Sequence, residues 1–199
     1  MKRILYILAL TFCFVGTRAQ DFNKDMGTAK TSYSLGKLEE THFALLQAMQ
    51  EIDIIVGKEI LKLLPLKMDT LTSNAKNDNV SSAVGFIGTT IHRVYGMSER
   101  KADLNIISNS PMIAMLNGFL NSPVLGGMMT DGKTKAVRVQ GYKGRLEKID
   151  GSVEGKSGYE LQIPLGNTLI TFRINDCTDT QILDMANTIP MQQIAKLIQ

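Results

Sequence analysis

Tryptophan is missing from this 199-residue chain, and histidine and cysteine occur only twice each, at His42, His92, Cys13 and Cys177. So little histidine argues against metal centres and against Ser-His-Asp triads. His92 stands beside Arg93 in a strand-like run and reads as a sheet-face residue. His42 falls on the polar side of a helical pattern. Cys13 lies in the N-terminal leader, so the mature chain keeps Cys177 alone and cannot form an intrachain disulfide. Cys177 reads as a small residue at a strand–helix junction, and no cofactor is expected.

Apolar runs long enough to span a bilayer are also lacking, since such a span needs roughly 20 residues. The longest run, Ile4 to Val15, comes after Lys2 and Arg3 and ends at Gly16 and Thr17-Arg18-Ala19. Those three zones spell a secretory signal peptide over residues 1–19, cleaved between Ala19 and Gln20. Phe12 is bulky where a lipid-attachment box needs a small residue ahead of Cys13, so lipidation is not expected. The leader implies a periplasmic or secreted location, with no transmembrane helix in the mature chain; envelope association stays open.

A surplus of charge is lacking as well. The chain holds 22 Lys and Arg against 19 Asp and Glu. Loss of Lys2, Arg3 and Arg18 with the leader leaves 19 of each, and the mature chain is formally neutral. The basic field of a nucleic-acid binder is absent, and nucleic acid is excluded as an expected partner.

What is present suits one α+β domain. Residues 20–34 are polar and small and read as a loose lead-in to a single domain over 35–199, with helices in 35–64 and a sheet-rich part in 84–199. Leu38, Leu45, Ala48, Met49, Ile52, Ile55 and Val56 recur at three- and four-residue steps and predict a helix burying that face. A second helix is expected from Lys58 to Leu64, stopped by Pro65. Residues 70–83 read as a polar loop. Strands are expected at 86–95, 102–107, 136–140, 144–149, 159–164 and 168–174, joined by short Gly-containing links that favour antiparallel neighbours. Between them, Ser110 as N-cap and Pro111 at the first helical position predict a middle helix. Thr178 with Gln181 predicts a capping box opening a C-terminal helix. The expected fold is an antiparallel sheet of about six strands with N-terminal, middle and C-terminal helices packed on it.

Ala29, Tyr33, Gly36, Leu38, Ala44, Leu45 and Ala48 resemble half of a tetratricopeptide repeat. No second copy is present, and a lone repeat cannot bury its face, so a repeat array is not expected. Tyr142, the strand pair Tyr159 to Ile174 and the helix Ile182 to Ile189 resemble PsbP-like domains and related exported bacterial domains of unknown function. That resemblance implies a fold and a non-catalytic binding or assembly role; the Trp common in such domains is missing.

Candidate chemistry is thin. Gly127 to Thr134 (GMMTDGKT) matches the letters of a phosphate-binding P-loop. The next residues, Lys135 to Val139, alternate like a strand, whereas a true P-loop opens a helix. Met112, Met115, Met128 and Met129 could suggest a soft copper site; Met112 and Met115 fall on the apolar stripe of the middle helix and are expected in the core. Arg138, Tyr142, Lys143 and Arg145 form a local basic cluster with one aromatic, the candidate site for a small anionic ligand. The expected function is that of an exported, non-enzymatic binding or envelope-assembly module whose partner is an unknown protein or a small anionic ligand. The alternative is a small-ligand carrier, or an enzyme whose site assembles only in the fold.

Overall fold

The computed structural model describes residues 17–82, 88–97, 100–122, 132–151 and 155–198, with side chains from residue 21 onward. The chain divides into two compact units, Met1–Asp53 and Ile54–Gln199.

The first unit holds α1 (Thr17–Ser34) and most of α2 (Leu38–Leu63). The expected loose lead-in is therefore helical, and the expected cleavage site between Ala19 and Gln20 lies inside the first turn of α1. Its polar composition hid the helix, because the buried positions, Ala29 and Ser32, are small. Gly36 turns the chain at φ +73°, a conformation that glycine adopts without a Cβ clash. Across this three-residue link the Lys37 backbone N–H donates to the Ser32 carbonyl, closing the end of α1. On α2 the buried residues are again small: Thr41, Ala44 and Ala48. Ser32 Oγ donates to Glu40 Oε2 across the turn, and Lys37 Nζ bridges to Glu40 Oε1 at 3.0 Å.

The second unit is built on a seven-stranded antiparallel sheet, one strand more than expected. A two-stranded ribbon, β1 (Lys67–Met68) and β2 (Leu71–Thr72), precedes it. The sheet strands are β3 (Asn79–Ser81), β4 (Thr90–Met97), β5 (Arg100–Ser108), β6 (Thr134–Val139), β7 (Tyr142–Asp150), β8 (Ser157–Leu165) and β9 (Thr168–Ile174), in the order β3-β4-β5-β9-β8-β7-β6. β3 lies within the stretch expected as a loop; at three residues with one inward side chain, Val80, it shows no periodicity. Two-residue turns at Gln140-Gly141 and Gly166-Asn167 join β6 to β7 and β8 to β9, with positive φ at Gln140, Gly141 and Gly166.

Register sorts the side chains onto two faces. Ile91, Tyr95, Leu104, Ile106, Leu146, Leu161, Ile163, Ile170, Phe172 and Ile174 are buried and belong to one core. Against it pack Ile60 and Leu64 at the end of α2, Ile182, Met185 and Ala186 of α4 (Asp179–Ala186), and Met191 and Ile194 of α5 (Met191–Ile198). The expected break between two helices near residue 57 does not occur: α2 runs unbroken through Gly57. A Cβ there would stand 2.6 Å from Val80 Cγ1 and 2.9 Å from Thr89 Cγ2. Glycine at this place brings the helix close to the sheet.

α3 (Met112–Asn121) lies along β7, β8 and β9. Its Asn121 Oδ1 accepts from Lys143 Nζ at 3.4 Å. Lys143 belongs to the face opposite the core, so α3 covers part of that outer face, with Leu116 as its buried residue. Two expectations fail here. Ser110 makes no side-chain cap, although its carbonyl accepts from the Ile113 backbone N–H. Met112 and Met115 are exposed rather than in the core, because the stripe they share with Leu116 is wider than the contact with the sheet. The Thr178–Gln181 capping box is formed on both sides.

Candidate functional site

The largest departure from the expected packing is in the helical hairpin. Periodicity predicts that Leu38, Leu45, Met49, Ile52 and Ile55 face the core, yet all five are exposed; Met49 retains 62% of its surface and Leu38 65%. Of the predicted face only Ala48 is buried, with Val56 partly so against the core of the second unit. The reason is that α2 meets α1 through its small residues, which turns its large ones outward. α1 behaves the same way: Ala29 and Ser32 are buried, while Met26 and Tyr33 are exposed, Tyr33 at 69%.

Helical geometry places these two exposed stripes on one side. On each helix the stripe trails the buried row by about 70–90°, in the same rotational sense relative to the chain direction. With α2 folded back on α1 at the Gly36 turn, equal rotations about opposed axes put both stripes on the same side of the hairpin. Met26 and Tyr33 thereby join Leu38, Leu45, Met49 and Ile52 in a two-helix apolar face. Large contiguous apolar faces are uncommon on the surface of a protein without a partner. Periodicity alone identified the stripe on α2 but could not say whether it pointed inward.

The basic cluster is split by the sheet. Arg138 pairs directly with Lys143 across β6 and β7, and Arg145 lies two residues on, so these three share the outer face. Tyr142 pairs with Val139 and packs on the core side. The three cations are already engaged: Arg138 donates to the Gly141 carbonyl, Lys143 to Asn121, and Arg145 forms an ion pair with Glu147. Arg145 Nε is the exception, being buried with no hydrogen-bond partner among the described residues. Register extends this face into a row that is polar on six strands, Asn79, His92, Asn105, Thr171, Gln162 and Arg145, and ends at Ala136 on β6. His92, a sheet-face residue as expected, contacts Asp103, which also binds Lys101.

Other candidates place as follows. Tyr142 lines a cavity of about 380 Å³ with Leu165, Gly166, Asn167, Ala195 and Ile198. Cys177 does lie between β9 and α4; burial raises its thiol from an ordinary 9.0 to about 11, which keeps it protonated and unreactive at neutral pH. Most of the Gly127–Thr134 match, with Met128 and Met129, falls outside the described residues; the strand β6 begins at its last residue. Among the described residues no group of three or more His, Cys, Asp or Glu could hold a metal, and no helix is long and apolar enough to cross a membrane.

A scan against protein-family models finds no match, and searches of curated proteins and of solved structures find no significant match either.

Proposed function

We propose that the chain is an exported, non-enzymatic binding module that docks a helical partner on the apolar face of its α1–α2 hairpin. One observation carries this reading: Met26, Tyr33, Leu38, Leu45, Met49 and Ile52 are exposed together on a scaffold whose own contacts use small residues. Covering such side chains is favourable by about 25 cal/mol per Å² of apolar surface. The leader-like first 19 residues support export to the periplasm or beyond. The resemblance of the last third to PsbP-like domains supports a binding or assembly role.

A photo-cross-linking residue at Met49, expressed in the native host, tests the docking surface. Adducts are expected at Met49 and not at Lys24 on the opposite side of the hairpin, and Leu45→Glu should abolish them. Equal labelling at both positions would sink the reading, as would substrate turnover by the purified protein.

A second reading, a small-ligand carrier, has the cavity beside Tyr142 in its favour. An aromatic face with the Asn167 amide could hold a small ring-shaped ligand. Tyr142→Ala should then abolish ligand-induced thermal stabilisation while Met49→Gln leaves it intact.

A further inference from the structure

The docking reading leaves the partner open, and the hairpin itself narrows it. Leu38, Leu45 and Ile52 recur every seven residues, and Met49 falls four after Leu45 and three before Ile52. That 3.5-residue repeat is the seam of helices packing knobs into holes, so the face is shaped for other helices. Two antiparallel helices with a shared apolar side form half of a four-helix bundle, and such bundles are completed by a second hairpin.

We infer that the second hairpin belongs to another copy of this chain, the two copies being related by a two-fold axis parallel to the helices. This inference rests on the docking reading above. In that arrangement α1 of each copy lies on α2 of the other. Every neighbouring pair in the bundle is then antiparallel, which opposes the helix dipoles favourably.

The charges bordering the face complement one another in this arrangement. Lys30 lies on the outer border of the α1 stripe, one residue after the buried Ala29 and four after Met26. Glu39 lies on the outer border of the α2 stripe, next to Leu38. Both are exposed. The Ser32–Glu40 hydrogen bond sets the level of the two helices, so Lys30 stands level with residue 42 of α2. When α1 of one copy lies on α2 of its partner, Lys30 therefore comes within about one helical turn of the partner's border carboxylate. The two-fold axis repeats the pairing on the other side of the bundle. Parallel stacking of α1 on α1 would instead set Lys30 against Lys30.

Sedimentation equilibrium on the purified protein tests this. A dimer is expected at micromolar concentration, and Met49→Glu should raise its dissociation constant about tenfold or more. Lys30→Glu should weaken the dimer, and the double variant Lys30→Glu, Glu39→Lys should recover it, a rescue that general loss of structure would not give. Circular dichroism of each variant confirms that the helices remain. A monomer at about 100 μM, or a dimer indifferent to Met49→Glu, overturns the inference. The Met49 cross-linker separates the two failures. Adducts with a different protein would refute the second copy and leave the docking reading standing. With neither dimer nor adduct, both fall.

Discussion

Three residues show how individual side chains position this fold. Gly57 sits in the interior of α2, where alanine would ordinarily gain about 1 kcal/mol of helix propensity. Here the added methyl would meet Val80 and Thr89 at under 3 Å. Gly57→Ala is expected to destabilise by about 1–3 kcal/mol from overpacking, read as a lower urea midpoint. Arg93 is 5% exposed and binds Asp78 through Nε and Nη2, while its Nη1 donates to the Leu64 carbonyl just beyond α2. The Asp78 carboxylate beside it raises the Arg93 pKa. Asp78→Ala would strand this cation, at a cost of about 3–5 kcal/mol in thermal or chemical unfolding.

Tyr95 carries the pH dependence. It is fully buried, with the Arg93 side chain beside its hydroxyl. Burial raises its pKa from 10.0 to about 12, with the nearby Arg93 cation pulling the other way. The unfolded chain thus loses this proton first as pH rises. Stability should be intact below about pH 9, begin to fall as unfolded Cys177 ionises, and fall further between 10 and 12 through Tyr95. Tyr95→Phe should flatten the upper part of that fall and cost about 0.5–1.5 kcal/mol at pH 7, because it removes a hydroxyl that lies beside the Arg93 side chain. Urea midpoints at about pH 8 and about pH 11.5 measure both effects.

At the scale of elements, the hairpin separates two ways of reading one periodic pattern. Were the Leu38–Ile52 stripe core, Met49→Gln would be severely destabilising. With Met49 exposed in the single chain, the change should stay within about 0.5 kcal/mol for the monomer, the dimer's own contribution being removed by comparing both variants in the Leu45→Glu background. Ala48→Leu, on the buried row, should instead cost about 1–3 kcal/mol by overpacking. Differential scanning calorimetry on the two variants in that background decides between these readings. The start of α4 was legible because the Thr178–Gln181 capping box is a local motif whose partners are three residues apart. The Ser110 cap was not, because Pro111 and the burial of Ser110 set that corner instead.

For the whole molecule, strand order matters most. The sheet closes through β5 and β9, where Leu104 pairs with Phe172 across a long stretch of intervening chain. Such distant pairing cannot form until a long loop has closed, so refolding of the second unit is expected in the millisecond-to-second range by stopped-flow fluorescence of its tyrosines. Refolding in microseconds would contradict this topology.

Local chemistry determined much of this protein: the α+β class, six of the seven strands, the capping box of α4, the place of Cys177 between strand and helix, and the strand after the P-loop-like letters. These depend on alternation, turn residues and neighbours within a few positions, which a sequence displays directly. Only the tertiary structure decided which face of α2 points outward, that residues 20–34 are helical, that β3 joins the sheet, and that Tyr142 parts from Arg138, Lys143 and Arg145. Each of these depends on what lies opposite in space. Small residues can form the tighter contact, and an apolar stripe left without a partner inside the chain faces outward with the same periodicity it would have had in the core.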